Sequence, residues 1–212
     1  MTAKVTRECE RVFRQLEKLG LLLLSDASFP SVAGVIARSG IKGSWWSHPD
    51  AHTIFAVAEL LDDHPDVLFM KLINGKVTLV HRELWGRIYS IGVAREHWQI
   101  KELTTAAKLL LKKVDAEGSV ETVSLGKGFD PKPGNAAREL EFFLLIQSQQ
   151  VHTQSGAHAK ILQTWDHWAR SARFRGHAKS ASAARRFLEE RVESIASENR
   201  VLPVRFPWPL NV

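Results

Sequence analysis

Cysteine is almost absent: Cys9 is the only one in 212 residues. A lone thiol excludes a disulfide framework and a thiolate metal cluster. Long apolar runs are also missing. The longest, Leu19-Gly20-Leu21-Leu22-Leu23-Leu24, falls far short of the roughly 20 residues that span a bilayer. The opening stretch MTAKVTRECERVFRQ is charged from its start and has no signal-peptide h-region. No His-Glu-x-x-His, Cys-x-x-Cys, nucleotide-binding glycine loop or Gly-x-Ser-x-Gly elbow occurs, and Gly126-Lys127-Gly128 is too short to cradle phosphate. Without a catalytic motif the reading leans away from an enzyme. The expectation is a cytoplasmic, bacterial-type protein with no cofactor, no metal and no membrane segment.

What is present is charge, unevenly placed. The net charge is +6, from 29 Lys and Arg against 23 Asp and Glu. Residues 1–100 hold 12 basic and 11 acidic side chains, whereas residues 101–212 hold 17 and 12. The segment 160–186 has seven basic residues and one acid, Asp166. Such a patch points to a polyanionic partner, nucleic acid first. The apolar content of 44% is ordinary for a packed globular chain, and the length suits two domains of about 100 residues each.

Val5, Cys9, Val12, Leu16 and Leu19 mark an amphipathic helix over 4–19, with Cys9 on its buried stripe. A short helix should run from Pro30 to Gly40. After KGSWWSHP, residues 42–49, Pro49-Asp50 opens a helix with Ile54, Val57, Ala58 and Leu61 inward, stopped by His64-Pro65. VLFMKLI and KVTLVH, joined by Asn74-Gly75, read as a hairpin whose turn needs positive φ at both residues. A helix RELWGRIYSIG closes the half, with His81 as its cap. In the second half LTTAAKLLLKKV and SVETVSLG read as helices, 136–146 as a long helix capped by Asn135, and QQVHTQSGAHAKIL as a second hairpin. A last helix carries Ala184, Leu188, Val192 and Ile195 on one side, before an extended tail with three prolines.

The halves match in order. Pro49 stands 18 residues before Val67, and Pro133 stands 18 before Val151. Three helical segments followed by a two-stranded ribbon is the order of a winged helix, a helix-turn-helix variant with a β-hairpin wing. The expected fold is therefore α+β and mostly helical: two tandem winged-helix-like units, then a C-terminal helix and extended tail. The boundaries read as 1–98, 99–169 and 170–212.

KLLLKKVDAEGSVETVSLG resembles the opening of winged-helix units in the crosslink-repair DNA glycosylases, which carry several such units in tandem. The whole chain is similar to an uncharacterised bacterial family with GSWWSHP, GKVTLVHRELW and VHTQSGAHAKIL. The resemblance implies tandem winged helices and DNA as partner. The glycosylases' Gln-apolar-Gln motif is met only by Gln147-Ser148-Gln149, polar in the middle, so no catalytic role is carried over.

The candidate nucleic-acid contacts are Arg138, Lys160, Arg170, Arg173, Arg175, Lys179, Arg185 and Arg186, with Lys132 beside them. The helix carrying Arg138 also bears Glu139 and Glu141, which argues against base reading. Two other readings stay open: a repair-type or small-molecule enzyme with a pocket of Trp45, Trp46, His48 and Lys71, and a homodimer through the apolar helix 136–146. At Trp45-Trp46 one ring is expected in the core and the other, with Lys42 and His48, at the surface. If the second hairpin has a tight turn, His152 and His158 face each other across it and approach a three-ligand site with Asp166 or His167, although isolated histidines on a wing more often hydrogen-bond backbone or meet phosphate. Trp85, Trp98, Trp165 and Trp168 are expected in the core.

Overall fold

A computed structural model describes residues 2–38, 41, 43–125, 133–152, 158–175, 180–199 and 204–209. The chain is α+β, mostly helical, with two three-stranded antiparallel sheets. By internal contacts it divides into two compact units, Met1–Trp85 with Arg186–Phe206, and Gly86–Arg185 with Pro207–Val212.

In the first unit, α1 (Ala3–Leu19) starts where the Thr2 hydroxyl accepts from the Val5 N–H and stops at Gly20, φ 77°. A side chain there would run into Leu84, so this close, left-handed position suits glycine alone. Val12, Leu16 and Leu19 are buried as the periodicity requires, but Cys9 is only half-buried and Glu8 is buried in its stead. Arg11 Nη2, 2.7 Å from Glu8 Oε2, compensates that carboxylate.

Directly after Gly20, Leu21–Leu23 forms β1, fully buried and paired with the last strand of the unit. The sequence reading missed this strand, because three consecutive leucines buried on both faces show no alternation. α2 (Val32–Ala37) is capped by Ser31 and ends at Arg38, φ 54°, two residues before the expected Gly40. α3 (Ala51–Asp62) buries Ile54, Val57 and Leu61. It begins after Pro49, which lies in the preceding turn and not in the helix. β2 (Val67–Lys71) and β3 (Val77–His81) form the expected hairpin, with φ 53° at Asn74 and 66° at Gly75.

The hairpin turn of this unit is held from two sides. Lys76 Nζ reaches Asp26 Oδ2 at 2.6 Å, from the loop between β1 and α2. Burial alone would raise the Asp26 carboxyl, but Lys76 and the N–H groups of Phe29 and Ser28 bring it down to about 2. Asn74 N–H donates to the Arg205 carbonyl, and Arg205 N–H to Asn74 Oδ1, both at 2.8 Å. The tail is thus anchored at Arg205. His81 does not cap the helical turn at Arg82–Leu84: its side chain makes no capping bond, and its ring meets Phe13 edge-on at 5.9 Å.

The second unit opens with α4 (Trp85–Ala94) and α5 (His97–Ile100) and then repeats the pattern. α6 (Thr105–Glu117) is capped by Thr104 and ends at Gly118, φ 76°. Immediately after that glycine comes β4 (Ser119–Glu121), again three residues paired with the last strand. SVETVSLG is therefore not a helix from its start: a strand precedes a 3₁₀ turn at Thr122–Leu125. α7 (Pro133–Phe142) leads to β5 (Gln147–His152) and β6 (His158–Gln163). The sheet orders are β1-β3-β2 and β4-β6-β5. In both units five residue steps separate the end of the last helix from the next strand, Asp62 to Val67 and Phe142 to Gln147. The match of Pro49 with Pro133 is thus shifted, because β5 begins at Gln147 and not at Val151.

α7 is shorter than the expected 136–146. Leu144, φ 56°, turns the chain out of the helix, and Leu144, Leu145 and Ile146 enter the core beside Leu110, Val114 and Leu162. An apolar residue in that conformation costs on the order of 1 kcal/mol. Its carbonyl is fixed by Trp165 Nε1, 2.7 Å away at the start of α8 (Trp165–Ser171). Trp165 and Trp168 are core, ring edge to face at 5.4 Å, and Trp85 is buried with its Nε1–H on the Val80 carbonyl. Trp98, expected in the core, is half-buried and donates to Glu96 Oε2 at 2.7 Å. α9 (Ala181–Asn199) buries Ala184, Leu188, Val192 and Ile195 as its spacing demands.

Among the described glycines of the second unit Gly92 marks the tightest approach, since a Cβ there would lie 2.1 Å from Trp165 Nε1. Gly92→Ala should destabilise the protein by about 1–3 kcal/mol through overpacking. Gly134→Ala, where a Cβ meets nothing within 4 Å, should stay within about 0.5–1 kcal/mol of the parent. Urea denaturation of the two variants measures both.

Candidate nucleic-acid interface

The charge excess belongs to one unit. Gly86–Arg185 with Pro207–Val212 carries 15 Lys and Arg against nine Asp and Glu, a net +6; the first unit carries 14 of each. Several of those nine acids are committed internally. Asp115 takes the Arg95 guanidinium, Glu117 takes Lys113 Nζ at 2.6 Å, and Asp166 accepts from Tyr89 Oη at 2.5 Å. That last bond, with burial, raises the Tyr89 hydroxyl above its ordinary value, while Asp115 raises the Arg95 guanidinium.

α7 is where this matters most. It begins at Pro133, the one helix position at which a missing N–H costs nothing. Ala136, Ala137 and Leu140 face the core, leaving Asn135, Arg138 and Phe142 exposed on the opposite side. The two glutamates flank that face, and both are engaged by neighbours. Glu139 accepts from the Thr104 N–H at 2.8 Å and from Thr104 Oγ1 at 2.7 Å, closing the start of α6. Glu141, 8% exposed, is ion-paired with Lys160 on β6. The Glu141 bond is of the charged kind that contributes roughly 1.5–3 kcal/mol, whereas the Glu139 bonds are exposed to solvent and contribute less.

Arg138 and Lys160 line an open groove of about 360 Å³ with Thr122, Val123, Gly134 and Ala137. The Lys160 N–H donates to Thr122 Oγ1 at 2.9 Å, tying β6 to the 3₁₀ turn below the groove. The groove therefore meets the positive end of α7, a lysine already balanced by Glu141, and the exposed Arg138 guanidinium. Such a surface suits phosphate oxygens. Sequence reasoning missed the part of Thr122 and Gly134; the polar-then-glycine spacing beside the Pro133 turn was its only signal.

The other expected contacts fall in different places. Arg170, Arg173 and Arg175 are exposed on α8 and the turn after it. Lys132 and Lys179 lie outside the described residues. Arg186 is exposed on α9, but Arg185 beside it is 7% exposed and ion-paired with Glu96. Successive helical residues point about 100° apart, so one arginine of the pair faces inward. In the first unit the exposed positions of α3 are His52, Phe55, Glu59 and Asp62, which give that helix no cationic face.

Trp45 and Trp46 differ from expectation, for neither is core. Trp45 is half-buried, Trp46 is 61% exposed, and the two rings stack at 4.0 Å. His48 lies beside them, its Nδ1 accepting from the Asp50 N–H at 3.1 Å. Lys71 is exposed at the end of β2, and among the described residues no hydrogen bond or ion pair joins it to this cluster. Lys42 lies outside the described residues. His152 and His158 are register partners across the second hairpin. Among the described residues no group of three His, Cys, Asp or Glu stands ready for a metal ion. Gln147 sits at the start of β5, not on a helix, and accepts from Gln163 Nε2 at 2.5 Å in a buried pair.

No family model, curated protein or solved structure matches this chain. Among the described residues no helix is long and apolar enough to cross a membrane.

The two arginines of α9 separate structural from surface roles. Arg185→Ala should destabilise the protein by up to about 3 kcal/mol, the low end for breaking a buried pair because Glu96 stays partly hydrated. Arg186→Ala should change stability by less than about 0.5 kcal/mol. Thermal denaturation of both variants distinguishes them.

Proposed function

We propose that the chain is a non-catalytic, DNA-associated protein of two winged-helix-like units, whose second unit holds duplex DNA through its phosphates. The winged-helix reading is supported by the order shared by both units. A helix ends at glycine, a three-residue strand comes directly after it, a helix comes next, and a hairpin places its last strand between the other two. In that arrangement the helix before the hairpin faces the groove of DNA, and the hairpin touches backbone.

The observation that carries the function is the outer face of α7 in the only unit with excess positive charge. Glu139 is bonded to Thr104 and Glu141 to Lys160, and among the described residues neither is ion-paired with Arg138. Arg170 and Arg175 add exposed cations in the same unit, on α8 and after it. The affinity is then mostly phosphate contact, without base specificity. Arg185 takes no part, being engaged with Glu96, and Lys160 contributes less than its formal charge.

The alternatives have less behind them. The dimerisation reading needs an apolar face on 136–146, yet Ala136, Ala137, Leu140, Leu144, Leu145 and Ile146 are consumed by the unit's own core. The enzyme reading needs Trp45, Trp46, His48 and Lys71 around a concavity, whereas Trp46 stands out from the surface.

Duplex DNA of arbitrary sequence should bind at low salt, with log K falling linearly against log salt. Arg138→Ala, Arg170→Ala and Arg175→Ala should each reduce the slope by about one. Fluorescence anisotropy across a salt series measures this. Absence of duplex binding at low salt, or slopes unchanged in all three variants, overturns the reading.

A further inference from the structure

The exposed aromatic cluster of the first unit is not among the residues proposed to hold duplex DNA, and it is costly to leave in water. Trp46 is 61% exposed and Phe55 is 42% exposed, their ring centroids 5.6 Å apart. Scattered single apolar residues are normal at a surface, but contiguous large rings that no core claims are the informative case. Phe55 stands on the side of α3 opposite Ile54, Val57 and Leu61, so its exposure was readable as an aromatic off the helix stripe.

The rings are also held in place. Trp45–Ser47 is a 3₁₀ turn, where successive side chains diverge by about 120°. Even so, the two indoles stack with an interplanar angle of 25°. Bonds from Ser47 N–H to the Ser44 carbonyl and from His48 N–H to the Trp45 carbonyl, both 3.1 Å, fix the turn. His48 Nδ1 and the Asp50 N–H tie it to the start of α3. A ligand therefore meets rings already ordered, and little is lost in arranging them.

We infer that Trp46, backed by Trp45 and flanked by Phe55, is a stacking platform for an unpaired nucleobase of a single-stranded nucleic acid. The near-parallel rings decide the ligand's shape. Trp45 and Trp46, whose planes lie 25° apart, extend naturally into a third flat ring, and Phe55 is tilted at 41° to Trp46. The charges agree. The carboxylate beside the cluster, Asp50, is held by Lys4 Nζ at 2.9 Å, which keeps it below the usual carboxylate range and occupied. His48 Nδ1 accepts from the Asp50 N–H, which leaves Nε2 as the ring's donor, for a base edge or a phosphate oxygen. Glu59 stands one turn beyond Phe55 on α3, so the phosphates belong on the Lys4 side.

This inference does not rest on the duplex reading of the second unit, and the experiment separates the two. The full-length protein is titrated with a short oligothymidylate and with an abasic oligomer of the same length, which offers phosphates without bases. Binding is followed by anisotropy of a labelled strand. The thymidylate should bind about 5- to 150-fold tighter than the abasic strand, the range for stacking one base. Trp46→Ala should abolish that ratio and Trp46→Phe should keep part of it. Both should leave duplex affinity unchanged, and circular dichroism confirms that they fold. Equal affinity of the parent for the two strands overturns the inference, as does an unchanged ratio in Trp46→Ala. A parent that sediments as a dimer and a Trp46→Ala variant that sediments as a monomer would show a second copy on the platform, and would equally overturn it.

Discussion

The engagement of the two α7 carboxylates is the interaction on which the surface of the second unit depends. Glu139 closes the start of α6 through Thr104, and Glu141 is paired with Lys160 across to β6. The second bond satisfies a carboxylate that would otherwise cost free energy to bury. Together they fix α7 between the preceding helix and the hairpin, and they occupy both of its carboxylates. A helix whose composition argues against binding a polyanion therefore presents Asn135, Arg138 and Phe142 outward.

The two units share a plan and differ in surface. In each, a threonine-capped helix ends at a left-handed glycine that feeds a three-residue strand, and the last strand lies in the middle of the sheet. The chemistry laid on that plan is distinct. The first unit is electrically balanced and carries acids on α3 and an aromatic stack just before it; the second holds the whole net charge of +6. Architecture and site are separable properties, and a function is argued from the latter.

Much of the plan could be read from the residues. The helix stripes of α3 and α9, the Asn74-Gly75 turn and the buried Trp165 and Trp168 come from periodicity, positive-φ preference and side-chain size. β1 and β4 could not, because a three-residue strand carries no alternation, and their pairing partners lie at least 40 residues away. The end of α7 was misread because the stretch 143–146 continues an apolar pattern while Leu144 breaks the helix through a tertiary bond to Trp165. The basic segment was visible as composition, but which of its members face inward was not: Arg185 and Arg186 look alike until Glu96 is brought beside one of them. Trp45 and Trp46 defeated the assumption that neighbours point apart, since stacking overrides the turn's divergence.

The most direct test of the central claim is backbone hydrogen exchange of the full-length protein with and without duplex DNA at low salt. The account predicts slowed exchange concentrated in α7 and in residues 165–175, with α3 unaffected. Protection confined to α3 and the turn before it, or no change anywhere in the second unit, would contradict it.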